Sequence, residues 1–227
     1  MREIVLDTET TGLNPFEGDK IVEIGCIELI NHITTGEKFH QYINPERGMP
    51  ESAFAVHGLS EEFLYKQPVF GEIVDSFIEF IGNSNLIIHN AQFDMSFINS
   101  ELANLNLPTI HQDRVIDTIK IARKKFPGAQ ASLDALCKRF NIDNSNRELH
   151  GALLDAELLA EVYLELIGGR QSNFALSDVN LTNASIVDKV ADGSIIREAR
   201  PHEPSIAEKV AHEFFLDNMQ NPIWRDK

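Results

Sequence analysis

Cysteine is almost missing from this sequence: Cys26 and Cys137 are the two it has in 227 residues. Each sits among apolar neighbours, which fits reduced core residues and leaves too few thiols for a zinc cluster. Positive charge is also short. The 20 Lys and Arg face 35 Asp and Glu, a formal net charge of −15. Such a balance argues against strong unaided binding to nucleic acid, whose affinity rests on phosphate neutralisation. No uninterrupted apolar stretch is long enough to span a bilayer. Glu3, Asp7 and Glu9 interrupt the N-terminal region, so it does not read as a signal peptide. These absences predict a soluble, cytoplasmic protein that does not engage a membrane.

What the chain does have is apolar material. Its 227 residues suffice for one large domain, or one domain plus an appendage, and its 43% hydrophobic content supports a real core. Residues 3–8 read as a buried strand. Ile21 to Ile30 reads as a second, broken by Glu23 and Glu28, and Phe39 to Ile43 as a weaker third. Pro45, Gly48, Pro50 and Gly58 make Asn44 to Gln67 mostly loop, with a short helix start at Ser60-Glu61-Glu62. Phe70, Ile73, Val74, Phe77, Ile78 and Ile81 recur at helical spacing. Leu86-Ile87-Ile88 is a short buried strand, Phe93 to Leu105 a helix, and Val115-Ile116 a strand-like element. Ser132 caps a helix through Phe140. Leu153, Leu154, Leu158, Val162 and Leu166 mark a last helix, ended by Gly168-Gly169. Strands early and helices interleaved later predict a three-layer α/β domain over residues 1–170 with a mixed sheet.

Beyond Arg170 the composition shifts. Residues 171–204 are rich in Ser, Asn, Asp and Thr and read as a flexible linker. Within 205–227, Ser205-Ile206-Ala207-Glu208 matches a capping box. Ile206, Val210 and Phe214 then form one apolar stripe, with Trp224 near the terminus. A short amphipathic helix after a linker cannot bury its own face, so a partner protein is its natural destination.

The chemistry is concentrated in three places. Ile4-Val5-Leu6-Asp7-Thr8-Glu9-Thr10-Thr11-Gly12 carries two carboxylates at spacing two. In a strand these face the same way. So close together they repel unless a cation sits between them, and hard divalent metals favour such oxygens. Asn90-Ala91-Gln92-Phe93-Asp94 follows a buried strand and puts Asp94 near a helix start, where the dipole favours an anion. His150 and Asp155 are five residues apart, about 140° around an ideal helix. His150 is therefore expected just before the helix, with Gly151 loosening the backbone and Asp155 pointing inward from the second turn.

Together these segments resemble the three exonuclease motifs of the DEDDh family, in order and in spacing. Residues 1–170 resemble the proofreading subunits of bacterial DNA polymerase III throughout, with Val56-His57-Gly58-Leu59-Ser60 and Leu133-Asp134-Ala135-Leu136-Cys137 adding to the match. The resemblance implies a ribonuclease H-like fold with a mixed five-stranded sheet. It makes Asp7, Glu9, Asp94 and Asp155 ligands of two divalent ions, Mg²⁺ or Mn²⁺, and His150 the general base. The activity it implies is 3′→5′ removal of nucleoside 5′-monophosphates from mispaired or single-stranded DNA. The terminal nucleotide would meet Asp7, Glu9, Ser52, His57 and Asp155. Ser52 stands where family members can carry a glutamate.

The implied partners are single-stranded 3′ ends and the polymerase III catalytic (alpha) subunit, the latter through the tail. A theta-like subunit and a sliding clamp are further candidates, with Gln171 to Leu176 a weak clamp-peptide match. Two readings stay open for several residues. Phe93 and Phe54 stack bases or fill core. Lys120 with Arg123-Lys124-Lys125 guides a strand or forms a solvated face. Asp117 is a strand-end carboxylate, and His89 lies next to the site without a catalytic role. Two other functions compete: an RNA-processing exonuclease of the same superfamily, against which the tail speaks, and a non-catalytic interaction module.

Overall fold

Strand β1 (Arg2–Thr10) runs antiparallel to β2 (Ile21–Ile30), which pairs in turn with β3 (Ile33–Tyr42). Asn31 and His32, with φ of 52° and 67°, make the two-residue hairpin turn between β2 and β3, the conformation whose twist suits a tight antiparallel pair. The computed structural model describes residues 1–145, 147, 149–168 and 203–219. It divides the chain into two units, Met1–Phe174 and Ala175–Lys227.

In the first unit, three helices follow the hairpin: α1 (Glu51–His57), α2 (Glu61–Leu64) and α3 (Phe70–Ile81). Then come β4 (Asn85–Ile88), α4 (Ala91–Asn104), β5 (Val115–Asp117), α5 (Thr118–Lys125), α6 (Leu133–Phe140) and α7 (Ala152–Ile167). The sheet order is β3-β2-β1-β4-β5, with β4 parallel to both β1 and β5. This is a mixed five-stranded sheet.

Helices cover both faces, as a sheet with parallel strands at its centre requires. Ile4 and Leu6 of β1 pack with α3 and α4 through Phe77, Phe97 and Ile98. Val5 packs on the opposite side with α6 and α7 through Leu136, Leu159 and Val162. Asp7 and Glu9 continue the Val5 side, toward α7. Thr8 continues the Ile4 and Leu6 side, toward α4.

The sequence reading needs four corrections here. The segment expected to be mostly loop contains α1, whose seven residues lie between Pro50 and Gly58. Gly58 ends it with φ +70°, a conformation that glycine adopts without strain. Strand β3 starts at Ile33, well before Phe39, because its first half is exposed on both faces and carries no apolar alternation. Helix α5 forms over a segment whose sequence signal is only a basic run. Asp117 caps it by accepting from the Ile119 N–H at 2.9 Å. Ile78, counted with the apolar stripe of α3, is 38% exposed.

In the second unit, α8 (Ile206–Asp217) carries the expected capping box. Glu208 Oε2 accepts from the Ser205 N–H at 2.7 Å, and Ser205 Oγ accepts from the Glu208 N–H at 3.3 Å. Ile206, Val210 and Phe214 are exposed. The linker over 171–202, Gln171 to Leu176 and Trp224 lie outside the described residues. No helix among the described residues is long and apolar enough to cross a membrane.

Candidate active site

Four carboxylates gather at the C-terminal end of β1. Asp7 and Glu9 project from its α7 side. Asp155 comes down from the first turn of α7, where its N–H donates to the Gly151 carbonyl at 2.8 Å. The helix starts at Ala152, so Asp155 falls one turn earlier than the sequence suggested. Asp94 arrives from the first turn of α4. Its Oδ1 accepts from the Thr8 N–H at 3.1 Å and from the Thr8 hydroxyl at 2.7 Å. Thr8, lying between the two strand carboxylates, thus orients the third.

His150 lies just before α7, as expected. Its backbone N–H donates to the Val56 carbonyl at 3.1 Å, which ties it to α1. Ligand atoms of Glu9, His150 and Asp155 all lie within 4.8 Å of one another.

Burial, with neighbouring negative charge, makes Asp7, Glu9 and Asp94 hard to ionise. Asp7 is held well above the usual carboxylate range, by burial first and then by Asp94, Glu9 and Asp155. Glu9 is pushed up to about 8 by burial, Asp155, Glu23 and Asp94. Asp94 is pushed up to about 7 by burial, against the pull of the Thr8 hydrogen bonds. Clustered, buried oxygen donors of this kind fit a hard divalent cation, which would relieve the repulsion that the raised values report.

One cation in the cage was missed from the sequence. Arg147 donates from Nε to Asp155 Oδ1 at 2.5 Å and from Nη2 to Asp155 Oδ2 at 2.7 Å. Its Nη1 reaches Asp134 Oδ1 at 2.6 Å. Nη2 also lies 2.7 Å from His150 Nδ1. A guanidinium only donates, so that contact makes Nδ1 the acceptor. Asp155 Oδ2, 3.2 Å from the same nitrogen, is a competing partner. A lone arginine in a polar segment carries no sequence signal of such a role.

Beside the cage lies a hollow of about 350 Å³ lined by Thr8, Glu9, Leu13, Ser52, His57 and Phe93, among others. It brings together Glu9, Ser52 and His57, three of the expected nucleotide contacts. His57 is buried and kept below its ordinary pKa by that burial. Its Nδ1 accepts from the Leu59 N–H at 3.0 Å, so Nε2 carries the proton of the neutral ring. Phe93 lines the hollow and packs on Phe97 with ring centroids 5.0 Å apart. Phe54 does not fill the core; it is 46% exposed and is not among the residues lining the hollow.

The basic run divides. Lys125 donates to the Glu165 and Leu166 carbonyls at 2.9 and 3.1 Å, capping the end of α7. Lys120 and Arg123 line a separate groove of about 870 Å³ with Asn90, Gln92 and Asp117. His89 is partly buried, its Nδ1 2.9 Å from the Thr118 hydroxyl.

The family described as Exonuclease matches residues 4–163. The DNA polymerase III subunit epsilon of Rickettsia felis is 49% identical over 222 residues, covering 96% of this chain and 97% of its own. That of Escherichia coli K12 is 44% identical over 239 residues, covering 99% and 97%. Among solved structures, Exonuclease X in complex with 5′ overhanging duplex DNA aligns with a TM-score of 0.58 at 26% identity, over 72% of this chain and 90% of that one. The nuclease domain of 3′hExo, a DEDDh family member bound to rAMP, shares the fold with a TM-score of 0.64 at 18% identity, over 73% and 91%. The mixed sheet, its two helical layers and the 44–49% identity over nearly the full length agree: this chain belongs to the exonuclease family and, within it, to the epsilon subunits of DNA polymerase III.

Proposed function

We propose that this chain is the proofreading 3′→5′ exonuclease of its replicative polymerase, working in the cytoplasm on newly made DNA. The observation that carries the reading is the meeting of Asp7, Glu9, Asp94, Asp155 and His150 at one strand end, beside a hollow of nucleoside size. Asp7, Glu9, Asp94 and Asp155 are the groups that would hold two divalent ions, Mg²⁺ or Mn²⁺. When bound, such a pair supplies Lewis-acid stabilisation of the phosphate and makes water acidic enough to attack near neutral pH.

The remaining work falls to side chains. His150, placed against Glu9 and Asp155, takes the proton of the attacking water. Attack at phosphorus breaks its bond to the 3′ oxygen of the penultimate nucleotide. The shortened strand keeps a 3′ hydroxyl, and the terminal residue leaves as a nucleoside 5′-monophosphate. The hollow holds that terminal nucleoside, with Ser52 and His57 on one wall and Phe93 offering an aromatic face. A paired terminus would bring its partner strand into the walls, so frayed or mispaired ends are favoured.

Acidity of the whole chain supports a tethered enzyme. A domain that repels DNA gains substrate by effective concentration rather than by its own affinity. The exposed Ile206, Val210 and Phe214 stripe of α8 is our candidate tether, its destination the polymerase catalytic (alpha) subunit. Near full-length similarity to polymerase subunits favours DNA over the RNA-processing alternative.

The test is nucleotide release from 3′-mismatched and matched primers with Mg²⁺, alongside equivalent RNA oligonucleotides. We expect faster release from mismatched DNA and loss of activity in Asp7→Ala. Equal activity in that variant, or a strong preference for RNA, would overturn the reading.

A further inference from the structure

Arg147 brings a positive charge against the cage carboxylate Asp155. Its side chain is 7% exposed and that of Asp155 is 4%, so this is an enclosed pair and not a surface contact. The fork takes both oxygens of Asp155. An arginine keeps its charge at any physiological pH and cannot make way by losing a proton. Asp7 and Glu9 also feel its charge, which opposes the rise that burial imposes on both. Arg147 therefore supplies part of the neutralisation that divalent ions would supply.

The two neutralisations compete at Asp155. The fork takes one lone pair on each oxygen, and a divalent ion beside a guanidinium is repelled at short range. Arg147 has somewhere to go. Its third contact is Asp134, which lies on α6 with a side chain 61% exposed. It also sits three residues before His150 and touches that ring, so whatever moves the guanidinium changes the surroundings of the base.

We propose that Arg147 is a displaceable counter-ion: it holds Asp155 in the metal-free protein and gives up that carboxylate, keeping Asp134, when divalent ions enter. The proposal rests on the metal-cage reading above. It makes arginine release part of metal loading, and it makes the intrinsic metal affinity of the cage stronger than the affinity measured. Release also frees His150 Nδ1 from its guanidinium donor, so the base is relieved as the cage fills.

The test is calorimetric titration of Mn²⁺ into the full chain without nucleic acid, with melting temperatures in EDTA and in excess Mn²⁺. We expect Arg147→Ala to bind Mn²⁺ about tenfold more tightly, within the usual range of coupling between two ligands for one site. Its melting temperature should fall in EDTA and match wild type in Mn²⁺. Arg147→Lys keeps the charge without the fork and should fall between the two. Equal or weaker Mn²⁺ binding by Arg147→Ala would overturn the proposal and make Arg147 a permanent positioning residue. Should Arg147→Ala fail to fold in EDTA, Arg147→Lys decides by the same criterion. Asp155→Asn separates the two ideas. If wild type shows no Mn²⁺ binding that Asp155→Asn removes, the cage reading fails, and the counter-ion proposal with it.

Discussion

Gly25 lies so close to the backbone of Ala152 that no side chain fits at Gly25. A β-carbon on Gly25 would lie 2.3 Å from the Ala152 carbonyl carbon, backbone against backbone. Gly25 is also the β2 residue paired with Asp7. The bare glycine lets the first turn of α7 descend onto the sheet next to Asp7, which carries Asp155 into the cage. Gly25→Ala must push α7 away. We expect a stability loss of about 1–3 kcal/mol, the usual cost of an overpacked contact. Misplacing the site by about 1 Å also costs roughly 10²-fold in rate. Thermal melts and nucleotide release would read both, and near wild-type activity would contradict the close-approach argument.

Glu9 gives the metal-free protein a definite pH dependence. Its carboxyl is raised to about 8 in the folded chain, so the folded state holds a proton that the unfolded chain has already lost. Stability from this group is complete below the unfolded value of about 4.3 and is lost as pH rises through about 8. Glu9→Gln removes that loss while Asp7, Asp94, Asp155 and Glu23 remain. In EDTA, urea unfolding should show the variant gaining on wild type as pH is raised from 5.5 to about 8.5. Excess Mg²⁺ at the upper pH should stabilise wild type and leave the variant behind. A pH-independent difference between the two proteins would argue that Glu9 ionises normally.

The cage was legible because its geometry is local. Strand period put Asp7 and Glu9 on one side, and the strand before Asn90 and the glycine after His150 announced where Asp94 and His150 would lie. What could not be read depends on distant partners. Thr8 meets Asp94 across 86 residues, and nothing in the spacing of either announces the bond. Arg147 acquires its meaning only when α7 turns Asp155 back toward it. Helix α1 hid behind Pro50 and Gly58, punctuation that also marks loops, and it buries only Ala53 and His57. The first half of β3 buries nothing on either face, so no alternation could reveal it.

Thr8→Val tests whether Asp94 is oriented by that hydroxyl. The variant keeps the backbone donor at 3.1 Å and loses the one at 2.7 Å. A hydrogen bond to a charged group is worth about 1.5–3 kcal/mol. Asp94 is ionised in the metal-free protein mainly above about 7, so the loss should be larger at pH 8 than at pH 5.5. Equal losses in EDTA at both values would assign the effect to packing instead.

Phe214 separates catalysis from attachment. It is 71% exposed on α8, in line with Ile206 and Val210, so Phe214→Ser removes little buried area in the free chain. Surface changes of this kind usually stay within about 0.5 kcal/mol of neutral. An aromatic that becomes buried at the centre of an interface commonly contributes 2 kcal/mol or more, about thirtyfold in affinity. The expected result is unchanged melting temperature and unchanged nucleotide release from free oligonucleotides, with co-purification of the polymerase catalytic subunit reduced at least tenfold. Excision at a mismatch should then weaken only when the polymerase is present, because tethering, and not the cage, has been damaged. If polymerase binding survives the substitution, the stripe has some other use, and the substrate supply of this acidic nuclease needs a different explanation.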